Sequence, residues 1–285
     1  MTLKFALCNE VLQPLPFERQ CAVAAALGYD ALELALFTLA DDPMAISDAR
    51  TTLFRRIAED SGISISGLHW LLVSPAGLSI VSPDAAVRAR SAAVMERLVE
   101  LCALMGGRYL VHGSPKQRSV PAGESKGTAL ARAGEALARA ALRAQACGVT
   151  YCIEPLSRRE TDLVNTVAEA VALVEAIGSP ALQTMIDCSA AGQAESEPVE
   201  ALMARWMPGG HIAHVQVNDP NRRGPGQGGM AFAPIIKTIV QMQALGHYRG
   251  IVAVEPFDYV PDSMGSAARA IGYLKGLVEG LACRE

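Results

Sequence analysis

No two cysteines in this chain stand in CxxC spacing. The seven present (Cys8, Cys21, Cys102, Cys147, Cys152, Cys188 and Cys283) are odd in number and scattered. That pattern argues against a disulfide framework or a zinc-finger-type centre, and predicts reduced thiols in a cytoplasmic protein. Long apolar runs are missing as well: no stretch reaches the roughly 18 residues a membrane-spanning helix needs. The N-terminal MTLKFALCNEVLQPLPFERQ lacks a charged segment followed by a long apolar run and a small-residue cleavage site, so no signal peptide is expected. Positive charge is not in excess. The formal net charge is −4 and no basic stripe offers a footprint for nucleic acid. No GxGxxG follows the first apolar run, so the dinucleotide-binding fingerprint is absent.

What is present suits a large core. Of the 285 residues, 51% are apolar and 19% charged, with mean hydropathy +0.23. This excludes a disordered chain. Short apolar runs alternate with longer stretches of helical period. The runs at 3–8, 31–36, 63–69, 108–112, 149–154, 183–187, 212–217 and 250–255 read as strands. Ala/Leu/Arg-rich segments at 14–27, 47–61, 84–105, 125–147, 166–177, 197–205 and 232–245 read as helices. Gly recurs at helix exits, as in ALGYDALEL and QACGVTYC. This rhythm predicts an α/β fold, a single (β/α)8 TIM barrel filling residues 1–285 as one domain. A doubly wound sheet is the alternative. Against it, polar residues end nearly every strand instead of clustering at one switch point. Connections 72–84 and 113–125 carry Pro, Gly and Ser and would overhang the C-terminal mouth of the barrel.

Four polar side chains punctuate the apolar runs of the second half: Glu154, Asp187, Gln216 and Glu255. They lie 33, 29 and 39 residues apart, about the length of one βα unit. A carboxylate ending a buried strand is costly to desolvate unless something pairs with it. In a barrel, four successive strand ends converge on one mouth, and a shared divalent cation satisfies all of them. Oxygen-rich ligation suits Mn²⁺, Mg²⁺ or Co²⁺ better than a closed zinc site, which favours His and Cys.

The motifs EPLSRRE (154–160), MID (185–187), HVQVNDPNRRGPGQG (214–228) and VAVEP (252–256) resemble the xylose-isomerase-like TIM-barrel superfamily. Within it they are most similar to ketose 3-epimerases and hydroxypyruvate-type isomerases. The resemblance covers the whole chain in rhythm and is specific from residue 150 onward. It implies that Glu154 and Glu255 ligate the metal and also act as the acid/base pair, with Asp187 as third ligand. The fourth position is His in the ketose 3-epimerases. Here it is Gln216, as in hydroxypyruvate-type isomerases, and His214 is the rival ligand on the same side of the strand. Glu160 and Arg222 match positions that contact substrate hydroxyls. Where the epimerases carry a His three residues after the Asp ligand, this chain has Ala190, which points away from a hexulose pose.

The chemistry implied is proton transfer beside a carbonyl. One glutamate removes the carbon proton to give an enediolate, and the proton returns to the opposite face or to the neighbouring carbon. The expected activity is isomerisation or epimerisation of a small keto-sugar or sugar-acid derivative. A lyase dehydrating a keto-polyol on the same barrel is the alternative. A sugar-binding scaffold is a third reading, opposed by the intact Glu154/Asp187/Glu255 set. The substrate is expected to be a small carbohydrate, with no nucleic-acid or membrane partner; barrels of this kind often form homo-oligomers. His69 and His112, at the ends of strands three and four, are similar to ligands of trinuclear-zinc apurinic-site endonucleases. Those enzymes also need His near the Asp ligand and a His pair after strand seven, where this chain has Ala190 and RGPGQGG. Bonds from His69 and His112 to substrate oxygens are the better expectation. Glu33 and Trp70 are candidates for the pocket wall. Lys116, Gln117, Arg118, Arg158 and Arg159 read as solvated loop residues in preference to anion contacts, and GPGQGG (224–229) as a turn.

Overall fold

A computed structural model describes residues 3–283. Eight parallel strands close into a barrel in sequence order: β1 (Phe5–Cys8), β2 (Ala31–Ala35), β3 (Ser64–His69), β4 (Tyr109–His112), β5 (Thr150–Ile153), β6 (Leu182–Asp187), β7 (Ile212–Val217) and β8 (Val252–Val254). Helices α1 (Phe17–Leu27), α2 (Asp48–Asp60), α3 (Ala85–Leu104), α4 (Lys126–Cys147), α5 (Val167–Ile177), α6 (Cys188–Ala194), α7 (Val199–Trp206), α8 (Phe232–Ala244) and α9 (Ser263–Ala282) surround it. Both faces of such a sheet are covered, which is why its strands are nearly continuous apolar runs. The closed sheet excludes the doubly wound alternative. Among the described residues, no helix is long and apolar enough to cross a membrane.

Local chemistry sets the boundaries. Ser47, Ser125 and Thr166 accept hydrogen bonds from the backbone N–H of Arg50, Thr128 and Glu169, capping α2, α4 and α5. Gly28 and Gly148 close α1 and α4 in the left-handed conformation, with φ of 90° and 70°. Two expectations shift. Helix α1 starts at Phe17, not at residue 14, because Pro14 and Pro16 hold the residues before them extended. The final helix α9 has no counterpart among the expected segments. Gly265, Gly272, Gly276 and Gly280 dilute its helical signal, and packing of Ala267, Ala270, Ile271 and Leu274 against the core secures it.

The register places the site. Asp187, last in β6, lies beside Gln216 of β7, and Gln216 lies beside Ala253 of β8. Glu154 and Glu255 come directly after Ile153 and Val254, so both leave the sheet at the same rim.

Candidate active site

Glu154, Asp187 and Glu255 each offer a carboxylate oxygen within 4.8 Å of the other two, and all three are buried. Each is supported differently. Gly113, one residue past β4, backs Glu154 so closely that a β-carbon there would overlap its carboxylate. The Glu154 carbonyl accepts a 2.6 Å hydrogen bond from Arg118 Nη2. Asp187 caps the short helix α6, with Oδ1 accepting from the N–H of Ala190 at 2.6 Å. The backbone carbonyl of Glu255 is tied down by Asn218 Nδ2 at 3.1 Å, and Asn218 Oδ1 accepts from the N–H of Ser189. Asn218 thus stitches together the exits of β6, β7 and β8.

The crowding has an electrostatic consequence. Burial, joined by repulsion from Glu255 and Asp187, pushes the Glu154 carboxyl well above the usual range. Burial likewise lifts Asp187 to about 7, against the pull of the Ala190 N–H, and lifts Glu255 to about 8, against the pull of His69. Three desolvated carboxylates that repel one another are a site built for positive charge. The donor set is all oxygen. Asp187 Oδ2 and the carbonyl oxygen Oε1 of Gln216 are both buried without a hydrogen-bond partner, and buried polar atoms are seldom left so. These orphaned oxygens fit a hard divalent cation.

Gln216 and His214 occupy different depths. Gln216 pairs in register with Asp187, whereas His214 pairs with Met185, two residues nearer the strand start. His214 Nε2 lies 2.9 Å from Glu33 Oε2, and its ring stacks on Tyr109 at 4.0 Å. No metal-ligating group gathered among the described residues includes His214. Gln216 turns its Nε2 toward Glu33 Oε1 at 2.7 Å. A carboxylate accepts only, so the amide nitrogen must face it and the oxygen must face away. Glu33 itself is fully buried beneath the site and is not a wall residue of the cavity. Burial would raise its carboxyl, but the charge and hydrogen bond of His214, with His69 and Tyr109, outweigh this and bring it down to about 2.

A cavity of about 410 Å³ opens above the trio. Trp70, Glu160, Ala190, Arg222 and Phe257 are among its lining residues. Glu160 accepts from the hydroxyl and N–H of Ser157, at 2.7 and 3.2 Å, and stands exposed at the rim. Arg222 lies over the ring of Phe257 at 5.5 Å, and its carbonyl accepts from the N–H groups of Phe257 and Asp258. The first-half histidines are placed otherwise than the sequence suggests. Neither lines this cavity. His69 has a carboxylate at each ring nitrogen, Glu255 at 2.8 Å and Glu10 at 3.1 Å. His112 bonds the Tyr151 hydroxyl through Nδ1, and burial with the charge of Arg118 lowers it to about 3.

Of the charged loop residues, Lys116, Arg158 and Arg159 are exposed as expected. Arg118 is not: it is 0% exposed, and the solvated reading is corrected. The short 3-10 turn Pro115–Gln117 folds the loop back over the barrel rim, directing Arg118 beneath Glu154. Glu10 and Asn218 escaped the sequence reading. Only the adjacency of Asn218 to the Gln216 strand could have drawn attention to one of them.

Comparison with known proteins agrees with this fold. Residues 21–277 match the xylose isomerase-like TIM barrel family. The D-psicose 3-epimerase of Agrobacterium fabrum is 30% identical over 257 residues, covering 88% of this chain and 83% of that protein. The L-ribulose 3-epimerase of Mesorhizobium japonicum is 29% identical over 228 residues, covering 78% and 70%. A solved structure of L-ribulose 3-epimerase superposes with a TM-score of 0.82 over 100% of this chain and 97% of its own, at 22% identity, a likeness of fold. Matched along most of its length by family and by relatives, the chain belongs to the xylose isomerase-like TIM-barrel family.

Proposed function

We propose that this protein is a divalent-metal-dependent epimerase of a small ketose, working through an enediolate. Kinship with D-psicose and L-ribulose 3-epimerases makes it an enzyme of the isomerase class. The observation that carries the metal reading is the convergence of Glu154, Asp187 and Glu255 beside the orphaned Oδ2 of Asp187 and Oε1 of Gln216. Those four residues would hold the cation, with Mn²⁺, Mg²⁺ or Co²⁺ suited to the oxygen donors. The bound cation supplies Lewis acidity beside a substrate carbonyl.

The residues do the rest. Glu154 and Glu255 enter the cavity from separate strands, so a ketose between them presents one face to each carboxylate. One removes the carbon proton adjacent to the carbonyl and the other delivers a proton to the opposite face. Asp187 contributes charge. Its Oδ1 is committed to the α6 N-terminus, which leaves only Oδ2 for ligation. Glu160 and Arg222 bind substrate hydroxyls at the rim. Ala190 places a methyl group in the cavity wall between the polar side chains of Ser189 and Gln193.

The test is incubation of the purified protein with Mn²⁺ and a panel of ketoses in deuterated water. Recovered epimers carrying one deuterium at the inverted carbon are expected. A conjugated-carbonyl absorbance without epimer formation would establish dehydration in its place. Full activity in thoroughly chelated protein would remove the metal from the reaction.

A further inference from the structure

Glu154 and Glu255 carry the same chemical group, but among the described residues only the Glu255 carboxylate is gripped by a side chain. His69 ends β3 inside the barrel at 1% exposure, with Nδ1 2.8 Å from Glu255 Oε1. Its other nitrogen, Nε2, lies 3.1 Å from Glu10 Oε2. Glu10 stands in the 3-10 turn Asn9–Leu12 that follows β1, and its side chain is only 8% exposed. A single hydrogen bond would leave the imidazole free to rotate about its Cβ–Cγ bond; partners at both nitrogens lock it. The next residue, Trp70, holds a left-handed φ of 50°, costly for a bulky side chain. Its ring is stacked between Phe37 and Phe257, each at 5.6 Å. The strand exit that carries His69 is therefore wedged in place from outside the sheet.

From this geometry we infer that Glu10 and His69 form a positioning clamp that fixes the carboxylate of Glu255 for its work at the site. The inference rests on the role given to Glu255 under Proposed function. Nδ1 takes Oε1, so the second oxygen of Glu255 is the one left for the cation and substrate. A buried Glu–His–Glu line is a costly way to fill a barrel, because polar groups taken out of water are unfavourable unless paired and apolar residues of similar volume pack as well. His69 acts through Glu255, as groups that orient a metal-binding carboxylate commonly do. Direct bonding of His69 to substrate is the rival role. Both ring nitrogens are already engaged by carboxylates and the residue does not line the cavity, which argues against it.

The experiment compares His69→Leu, His69→Asn and the wild type, loaded with Mn²⁺ and given the epimerised ketose. In His69→Leu, kcat and Mn²⁺ affinity measured by electron paramagnetic resonance should each fall about 10- to 100-fold. KM should move less than about threefold, because the ground-state contacts of the substrate are untouched. The Asn amide reaches the place of Nδ1 and should restore most of both losses. A Leu variant with wild-type kcat and Mn²⁺ affinity overturns the clamp, as does a raised KM at unchanged kcat, the mark of a substrate contact. A second readout needs neither metal nor substrate. In the metal-free protein, histidine-labelled NMR should show a downfield, slowly exchanging proton bridging His69 and Glu255 that disappears in Glu255→Ala. Its absence from the wild type overturns the clamp. Its presence in a protein that epimerised no ketose would support the clamp and count against the proposed reaction.

Discussion

The two glutamates that face each other across the cavity are built into the barrel in opposite ways. Glu255 is held by its carboxylate, through His69 and behind it Glu10. Glu154 is held by its backbone: Arg118 bonds its carbonyl, Gly113 makes room for its head group, and among the described residues no side chain hydrogen-bonds its carboxylate oxygens. The charges near them differ accordingly. An imidazole contacts one carboxylate directly, whereas the guanidinium beneath the other is oriented toward the peptide. Residues with matched formal roles in a two-base reaction need not have matched environments. One carboxylate is oriented by a side chain, and the other is placed through its backbone alone.

The largest effects should come from removing either base. Glu154→Gln and Glu255→Gln each keep an oxygen at the site but cannot carry the proton, and kcat should fall about 10²- to 10⁴-fold. The comparison sharpens if each variant still exchanges substrate hydrogen with deuterated water when offered one epimer and not the other, because the surviving carboxylate serves a single face. Exchange from both epimers in either variant would break the two-base assignment.

Next in size is the response of stability to pH and metal. Burial raises Asp187 to about 7 and Glu255 to about 8, and lifts Glu154 as well. Between the ordinary carboxylate range and those values, the folded metal-free protein holds protons that the unfolded chain has released. Stability from these groups is present at low pH and lost as pH rises through that window. A cation replaces the protons, so its benefit grows in the same direction. The melting temperature of the metal-free protein should drop from pH 5 to pH 8, while the gain from added Mn²⁺ rises, on the order of 5 °C or more at pH 8. A gain that shrank with rising pH would contradict the gathering of three carboxyl groups.

Gln216→Leu probes the neutral member of the set. Losing an oriented oxygen should weaken Mn²⁺ binding about 10- to 100-fold, read by titration. Unchanged affinity would assign the fourth position elsewhere.

How much of this could be read in advance follows from the physics of each signal. A carboxylate ending an apolar run is conspicuous because burial makes it expensive, so the convergence of Glu154, Asp187 and Glu255 was legible, as was the barrel rhythm. So was the relative depth of Gln216 and His214: alternation puts both on one side of β7 with His214 nearer its start, and the pairing with Asp187 and Met185 has the same order. Glu10 sits in the short turn Asn9–Leu12, where nothing local reveals its contact with a distant histidine. Its partner His69 is 59 residues away, and the residue that pair supports is 186 beyond that. Helix α9 was hidden by its four glycines.

Arg118 provides the smallest test and the most direct contrast with His69. In sequence it is one of several basic residues in a loop; in the fold it is fully buried, with Nε and Nη1 lacking partners and Nη2 on the Glu154 carbonyl. Burial, partly offset by Glu154 and Glu160, lowers its guanidinium to about 10, so it remains a cation at neutral pH. Arg118→Met removes the charge and one hydrogen bond while filling much of the volume. The orphaned carbonyl should cost about 1–3 kcal/mol of stability, read by denaturant unfolding. Because the guanidinium supports only the Glu154 side, the variant should slow turnover while leaving the bridging proton between His69 and Glu255 intact. Loss of that proton in Arg118→Met would mean that the two halves of the site are mechanically one, and the distinction between a glutamate oriented by a side chain and one placed through its backbone would fail.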